Sequence, residues 1–406
     1  MTGRPNPKSD SPSSRRRHPM SLRILYVHMS PPTERAGTPS VVMRHLDRLS
    51  QSGWTVSYAS QAYENDRYPV DREWTSYPIP TRRPWWPPHR PSLPGSPALR
   101  RSLVSADLAG RVLSDIPDVI LTVLAPSEGV VARNVSLLLR RPLATIAHDL
   151  PELWEDVAVD ARHQRSVLRQ VRSVLERSAR VYPVTQALAA AYGPSVAAKS
   201  ETLIPIPAGG ANRSEWREAH RRPHVVLSGT LYPFQRPALV QLATVLGHIG
   251  GRITVVTQND LRPFADLADA LGNVTFREAF STAAQARAFC AAEASAVLVS
   301  YAFDAQPWAA TSFPSKLVEF VHLGLPVLIL APPHATASAW ARENDWTALV
   351  ETLDGDALTA EIAALATPDG WARRAADSHR AALGPFDPET IHAGFETSLL
   401  ALTAAS

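Results

Sequence analysis

The chain has 406 residues, which at about 150 residues per domain suggests two domains. With 45% hydrophobic and 19% charged residues it can build sizeable cores, which excludes a chain disordered throughout. Of the net charge of +3, +4 sits in residues 1–20, so the pI of about 9.1 marks a basic tail and not a nucleic-acid-binding body.

The single cysteine, Cys290, excludes an internal disulfide framework and a cysteine-cluster zinc site, and a reducing cytosol is the expected compartment. Residues 1–20 are rich in Ser, Pro and Arg with no apolar stretch, so they read as a disordered basic tail and not as a secretory signal. The longest apolar stretch, Val321–Pro333, is broken by His322, Gly324 and Pro326 and is too short to span a bilayer.

Arg23–His28 reads as a strand, bounded by Ser30-Pro31-Pro32. After the Gly37-Thr38-Pro39-Ser40 turn, Val42, Leu46 and Leu49 recur at helical spacing up to Gly53. Trp54–Ala59 is the next strand, which completes a βαβ unit. Further strands are expected at 117–123, 143–148 and 180–184, with a basic amphipathic helix at Arg162–Ala179. Residues 208–223 read as a linker. A second alternation follows, with strands at 224–228, 252–257, 274–277, 296–301, 326–330 and 347–350, and helices between them. The predicted architecture is α/β: two Rossmann-like doubly wound parallel-sheet domains facing a cleft, over 21–207 and 224–385. Residues 386–406 are expected to form a helix packing back on the first domain. Ligands should sit at the carboxyl ends of the strands, in loops facing the cleft.

The segment from Ser312 to Val327 carries the most chemistry. Pro314 stands at a helix start, and Ser315 and Lys316 bring backbone N–H groups and a cation to its positive end, which suits a diphosphate. Glu319 shares the first turn with Lys316 and can accept two hydrogen bonds from a ribose diol. Gly324 ends the helix before Pro326-Val327.

In Pro314, Ser315, Lys316, Leu317, Glu319, Gly324, Pro326 and Val327 this segment resembles the donor-binding motif of GT-B glycosyltransferases of family 4. The first strand with the loop to Gly37 and Thr38 resembles that family's acceptor or phosphate loop, and His148-Asp149 with Glu152 and Trp154 is similar to a segment lying near the donor sugar. Val225–Tyr232, with Gly229 in the turn, resembles the first strand of the donor domain. The resemblance implies a metal-independent, retaining glycosyltransferase without a cofactor. Lys316 and Arg236 would face the diphosphate, Glu319 the ribose, and His148 and Asp149 the sugar. Its partners would be a nucleotide-sugar and a saccharide or lipid-linked acceptor, in polysaccharide or glycolipid assembly. Three departures stand against it. Thr311 replaces the first of two glutamates, Gln235-Arg236-Pro237 replaces a cation pair, and Thr257-Gln258-Asn259 replaces a glycine-rich strand end. A nucleotide-sugar epimerase on the same fold and a domain that binds without catalysis therefore stay open.

Among other residues, His28 is a cleft candidate, His322 reads as a helix-face residue and Cys290 as core. Residues 79–101 hold five arginines, no acid and Trp85-Trp86. Arginine with tryptophan in the Arg82–Arg101 segment suits an anionic membrane surface and also single-stranded nucleic acid. The near-neutral body favours membrane or acceptor contact, on a cytoplasmic protein peripheral at the inner membrane face and without a nucleic-acid partner, and a plain proline-rich surface loop is the alternative.

Overall fold

The computed structural model describes residues 21–34, 37–79, 97–151, 161–259, 261–304 and 306–404. The basic tail, most of the Arg82–Arg101 segment with Trp85 and Trp86, and Glu152 and Trp154 lie outside the described residues.

Six strands form the first sheet: β1 (Arg23–Val27), β2 (Thr55–Gln61), β3 (Thr75–Ile79), β4 (Val119–Val123), β5 (Leu143–Ala147) and β6 (Arg180–Pro183). Their order is β3-β2-β1-β4-β5-β6, and all pairs are parallel. The second sheet repeats the arrangement with β7 (His224–Ser228), β8 (Arg252–Thr257), β9 (Val274–Glu278), β10 (Ala296–Ser300), β11 (Val327–Leu330) and β12 (Leu349–Val350), in the order β12-β11-β10-β7-β8-β9. β4, β5 and β11 are buried along their whole length, as a parallel strand covered on both faces requires. The chain reverses its direction across the sheet between β1 and β4, and again between β7 and β10. Those two switch points place loops at the carboxyl ends of the strands, where open α/β sheets take ligands. The doubly wound α/β architecture expected from the sequence is the one found.

β3 was not legible in the sequence. It is an edge strand with mostly exposed side chains and a proline, Pro78, so it lacks the apolar run that marks its neighbours. Residues 208–223, read as a linker, are docked on the second domain. His220 is buried and stacks on Trp371 at 5.2 Å, and Arg217 donates to Ala292 O at 2.9 Å. Gly324 sits where Asn212 passes. It has φ +71, and a Cβ there would lie 2.5 Å from Asn212 O. Only glycine fits such an approach. His322 is fully buried, not on an exposed helix face, with Nε2 3.0 Å from Phe386 O.

The helix Pro388–Ala404 returns to the first sheet. Its Phe395, Leu399 and Leu402 share a core with Ile24, Tyr26, Leu46 and Tyr182. Tyr182 OH donates to Ser398 Oγ at 2.9 Å, and Trp54 Nε1 to Glu396 Oε1 at 2.8 Å.

Buried histidines set an acid limit on stability. Burial is the main cause that pushes His45 down to about 3 and His28 and His220 down to about 4, from 6.5. Below pH 6.5 the unfolded chain binds protons that the folded chain refuses, so stability falls as pH drops towards 4. Urea midpoints measured at pH 7.5, 6 and 4.5 should decline in that order. A midpoint unchanged between pH 7.5 and 4.5 would show that these rings are protonated in the folded chain.

Candidate functional site

The first-domain side of the cleft is built on the ends of β1 and β5. His28 follows β1 and is nearly buried, with Nδ1 3.2 Å from Ser30 N and 3.4 Å from Ser30 O. His148 follows β5. Surrounding protein depresses its pKa, opposed by the Asp149 charge, and its Nε2 is enclosed without a hydrogen-bond partner among the described residues. Burial is the main cause that lowers the His28 pKa, and a charge on His148 lowers it further. Gly37, with φ +86, caps the helix Thr38–Gln51, and its carbonyl accepts from Ser40 Oγ at 2.9 Å. Gly37 is exposed and Thr38 half-exposed at that helix start.

The second-domain side is built on the loop after β7 and the helix Ser315–Val321. Gly229 has φ +135, and a Cβ there would lie 2.7 Å from Lys316 Cε and 3.4 Å from its Nζ. Two residues distant in sequence therefore converge, and the left-handed backbone at Gly229 favours glycine there. Lys316 is solvent-accessible yet deep in the cleft, where the surrounding protein lowers its pKa and Glu319 opposes the shift. Pro314 is the N-cap of this helix and Ser315 is exposed at its first turn. Leu317 is fully buried in the second core. It anchors the turn and is not available to touch a donor.

Glu319, expected on an open first turn, is half-buried and engaged. Arg44 of the first domain donates from Nη1 to Glu319 Oε1, and Ala208 N donates to Oε2 at 3.1 Å. Arg236 is not drawn into this group. Its guanidinium lies on Asp266 through two hydrogen bonds of 2.8 and 2.5 Å, at the exposed start of the helix Arg236–His248. Gln235 is buried and serves the loop itself: Oε1 accepts from Tyr232 N at 2.8 Å and Nε2 donates to Ser300 O at 3.1 Å. Asn259 Oδ1 accepts from Leu231 N at 3.2 Å. The backbone N–H groups of Leu231 and Tyr232 are thus already satisfied within the protein.

Among the described residues, two further hydrogen bonds join the domains across the cleft. Ser312 Oγ donates to Asp149 Oδ1 at 2.7 Å, and Thr185 Oγ1 donates to Thr311 O at 2.6 Å. Tyr301 OH donates to Ser312 O at 3.0 Å and fixes that crossing point. Beside it runs a row of rings. Tyr301 contacts Trp308 at 5.4 Å, Trp308 contacts Phe234 at 5.1 Å, and Phe234 stacks on Tyr232 at 5.1 Å.

The structure therefore groups Gly229, Lys316 and Glu319 on one wall and His28, His148 and Asp149 on the other, with Asp149 touching Ser312. Arg44, Arg287, Thr185 and Ser312 were missed in the sequence. Arg44 lies among the apolar positions of an ordinary amphipathic helix, and nothing in its spacing points across the cleft. Arg287 lies on the helix Ala283–Glu293 and reaches Glu319 O and Gly210 O, each at 3.4 Å. Among the described residues, no three His, Cys, Asp or Glu side chains group as metal ligands.

No protein-family profile matches the chain, and no curated protein sequence matches it. Solved structures do. The sucrose-phosphate synthase of Thermosynechococcus elongatus is similar at 16% identity and a TM-score of 0.64, over 95% of this chain and 100% of the other. The Anabaena protein HepE, solved in complex with UDP and glucose, is similar at 15% identity and a TM-score of 0.65, over 94% and 100%. A glycosyltransferase from Rickettsia africae is similar at 12% identity and a TM-score of 0.66, over 95% and 100%. At these identities the likeness establishes the fold: two Rossmann-like domains arranged as in GT-B glycosyltransferases.

Proposed function

We propose that the protein is a glycosyltransferase that moves a sugar from a nucleotide-sugar to an acceptor hydroxyl. The observation that carries this reading is the convergence of Gly229, Lys316 and Glu319 at the switch point of the second sheet. Lys316 stabilises the charge that develops on the departing diphosphate, a preorganised electrostatic contribution. Glu319 accepts from the ribose hydroxyls. His148 and Asp149, on the opposite wall, orient the sugar. The fold shared with HepE, which was solved with UDP and glucose, supports a nucleotide-sugar as the donor class. Retention of configuration, independence from metal, and a place in polysaccharide or glycolipid assembly at a membrane surface belong to the same proposal through the sequence resemblance. Among the described residues no helix is long and apolar enough to cross a membrane.

One observation favours a second reading, binding without turnover. Gln235 and Asn259 occupy the backbone N–H groups of Tyr232 and Leu231 in the loop after β7, and Thr311 offers no carboxylate. A thermal-shift and titration panel of UDP, GDP, ADP and their sugars identifies the ligand, and product analysis after incubation with it separates the readings. Release of free sugar or transfer to an acceptor supports the transferase, isomer formation the epimerase, and tight binding alone the silent domain. Glu319→Gln should weaken the preferred nucleoside diphosphate by about 1–3 kcal/mol, the range for hydrogen bonds to a charged group. Unchanged affinities in that variant would remove Glu319 from the site.

A further inference from the structure

We propose that Arg44 is a positioning residue for the donor site, contributed by the opposite domain. The inference rests on the reading that Glu319 receives the ribose. Arg44 lies on the first-domain helix Thr38–Gln51 and its side chain is 11% exposed. Its Nη1 donates to Ile206 O at 2.9 Å and also to Glu319 Oε1. The other carboxylate oxygen, Oε2, accepts from Ala208 N at 3.1 Å. A carboxylate offers about four acceptor positions, two on each oxygen. Arg44 and Ala208 use one on each. Each oxygen thus keeps one acceptor position, enough in number for the two neighbouring hydroxyls of a ribose.

The guanidinium is itself held by the Ile206 carbonyl, in the segment that joins the domains. Arg287 presses on the same segment from the other side, with Nη2 3.4 Å from Gly210 O and Nη1 3.4 Å from Glu319 O. Without Arg44 the carboxylate keeps only its bond to Ala208 N and can turn about that contact. Arg44 thus fixes the orientation of Glu319, and it does so only while the first-domain helix is docked against the joining segment. Donor recognition and domain arrangement share one ion pair.

The test is a set of titrations with UDP, GDP and ADP against their 2′,3′-dideoxy counterparts, on wild type, Arg44→Met, Arg44→Lys and Glu319→Gln, with melting temperatures recorded for each. The wild type should bind its preferred ribonucleotide at least about tenfold tighter than the dideoxy form. Arg44→Met should bring that ratio close to one while leaving dideoxynucleotide affinity within about threefold. Arg44→Lys should restore part of the ratio, which a merely structural role would not. A ratio unchanged in Arg44→Met, or ribonucleotide binding that tightens on loss of Arg44, overturns the proposal. If Arg44→Met does not fold, an unaltered ratio in Arg44→Lys combined with unaltered dideoxynucleotide affinity overturns it. If the wild type binds no nucleotide, or Glu319→Gln keeps the wild-type ratio, the ribose reading of Glu319 fails instead.

Discussion

Replacing Lys316 by methionine should weaken nucleoside diphosphate binding by about 2–3 kcal/mol, or roughly 30- to 150-fold, while nucleosides without phosphate bind as before. Methionine keeps an unbranched stem, so the contact over the α-carbon of Gly229 survives and the fold is spared. What disappears is the cation at the second sheet's switch point. Arg236 cannot take over, because its guanidinium is held by Asp266 at the exposed helix start. The nearest neighbouring cation acting on Lys316, Arg44, is committed to Glu319. The loss should therefore be large for a single residue. The surroundings of Lys316 lower its pKa from 10.5, so diphosphate affinity should begin to fall at a pH below the usual lysine range and fall further as pH rises. Calorimetric titration of the variant with a diphosphate, a monophosphate and a nucleoside reads this directly. Equal losses for all three would mean that Lys316 shapes the pocket and does not face phosphate.

Ending the chain at Asp387 should cost the first domain more stability than any point substitution. The helix Pro388–Ala404 buries Phe395, Leu399 and Leu402 against β1, β4 and β6 through Tyr26, Leu121 and Tyr182. At about 1.5–3 kcal/mol for each large apolar side chain, the loss exceeds about 5 kcal/mol, comparable with the whole stability of a domain. It also strips partners from the Tyr182 hydroxyl, Trp54 Nε1 and Glu201, whose carboxylate accepts from Ser398 Oγ at 2.6 Å. The second domain has its own core, in which Trp371 and Phe386 remain. Scanning calorimetry of the shortened chain should show one surviving transition, with the first domain's contribution lost or moved well below that of the full chain. A shortened chain that melts within a few degrees of the full one would show that this helix is an accessory.

The strands of both sheets were legible because a parallel strand covered on two faces must be apolar along its whole length, and runs such as Val119–Val123 and Val327–Leu330 have no other use. Glycine and proline punctuation fixed the ends, with Gly324 and Pro326 between a helix and a strand. The edge strand Thr75–Ile79 lacked that signal because it is covered on too little of its surface to require it. Within one helix the spacing of Lys316 and Glu319 was local geometry and could be read.

The sequence by itself determined what is local or periodic: two α/β alternations, the turn that carries Ser315, Lys316 and Glu319, and the basic tail. The tertiary structure alone decided what each charge faces. Arg44 and Glu319 are 275 positions apart, and Thr185 and Thr311 are 126 apart. Arg236, the cation that follows the Gly229 turn, went to Asp266, while Lys316 came to Gly229 from another element. The reason is physical. Hydrophobic periodicity places backbones and buried faces, but a long charged side chain reaches whichever partner the packed domains bring within its length, and no spacing along the chain encodes that choice.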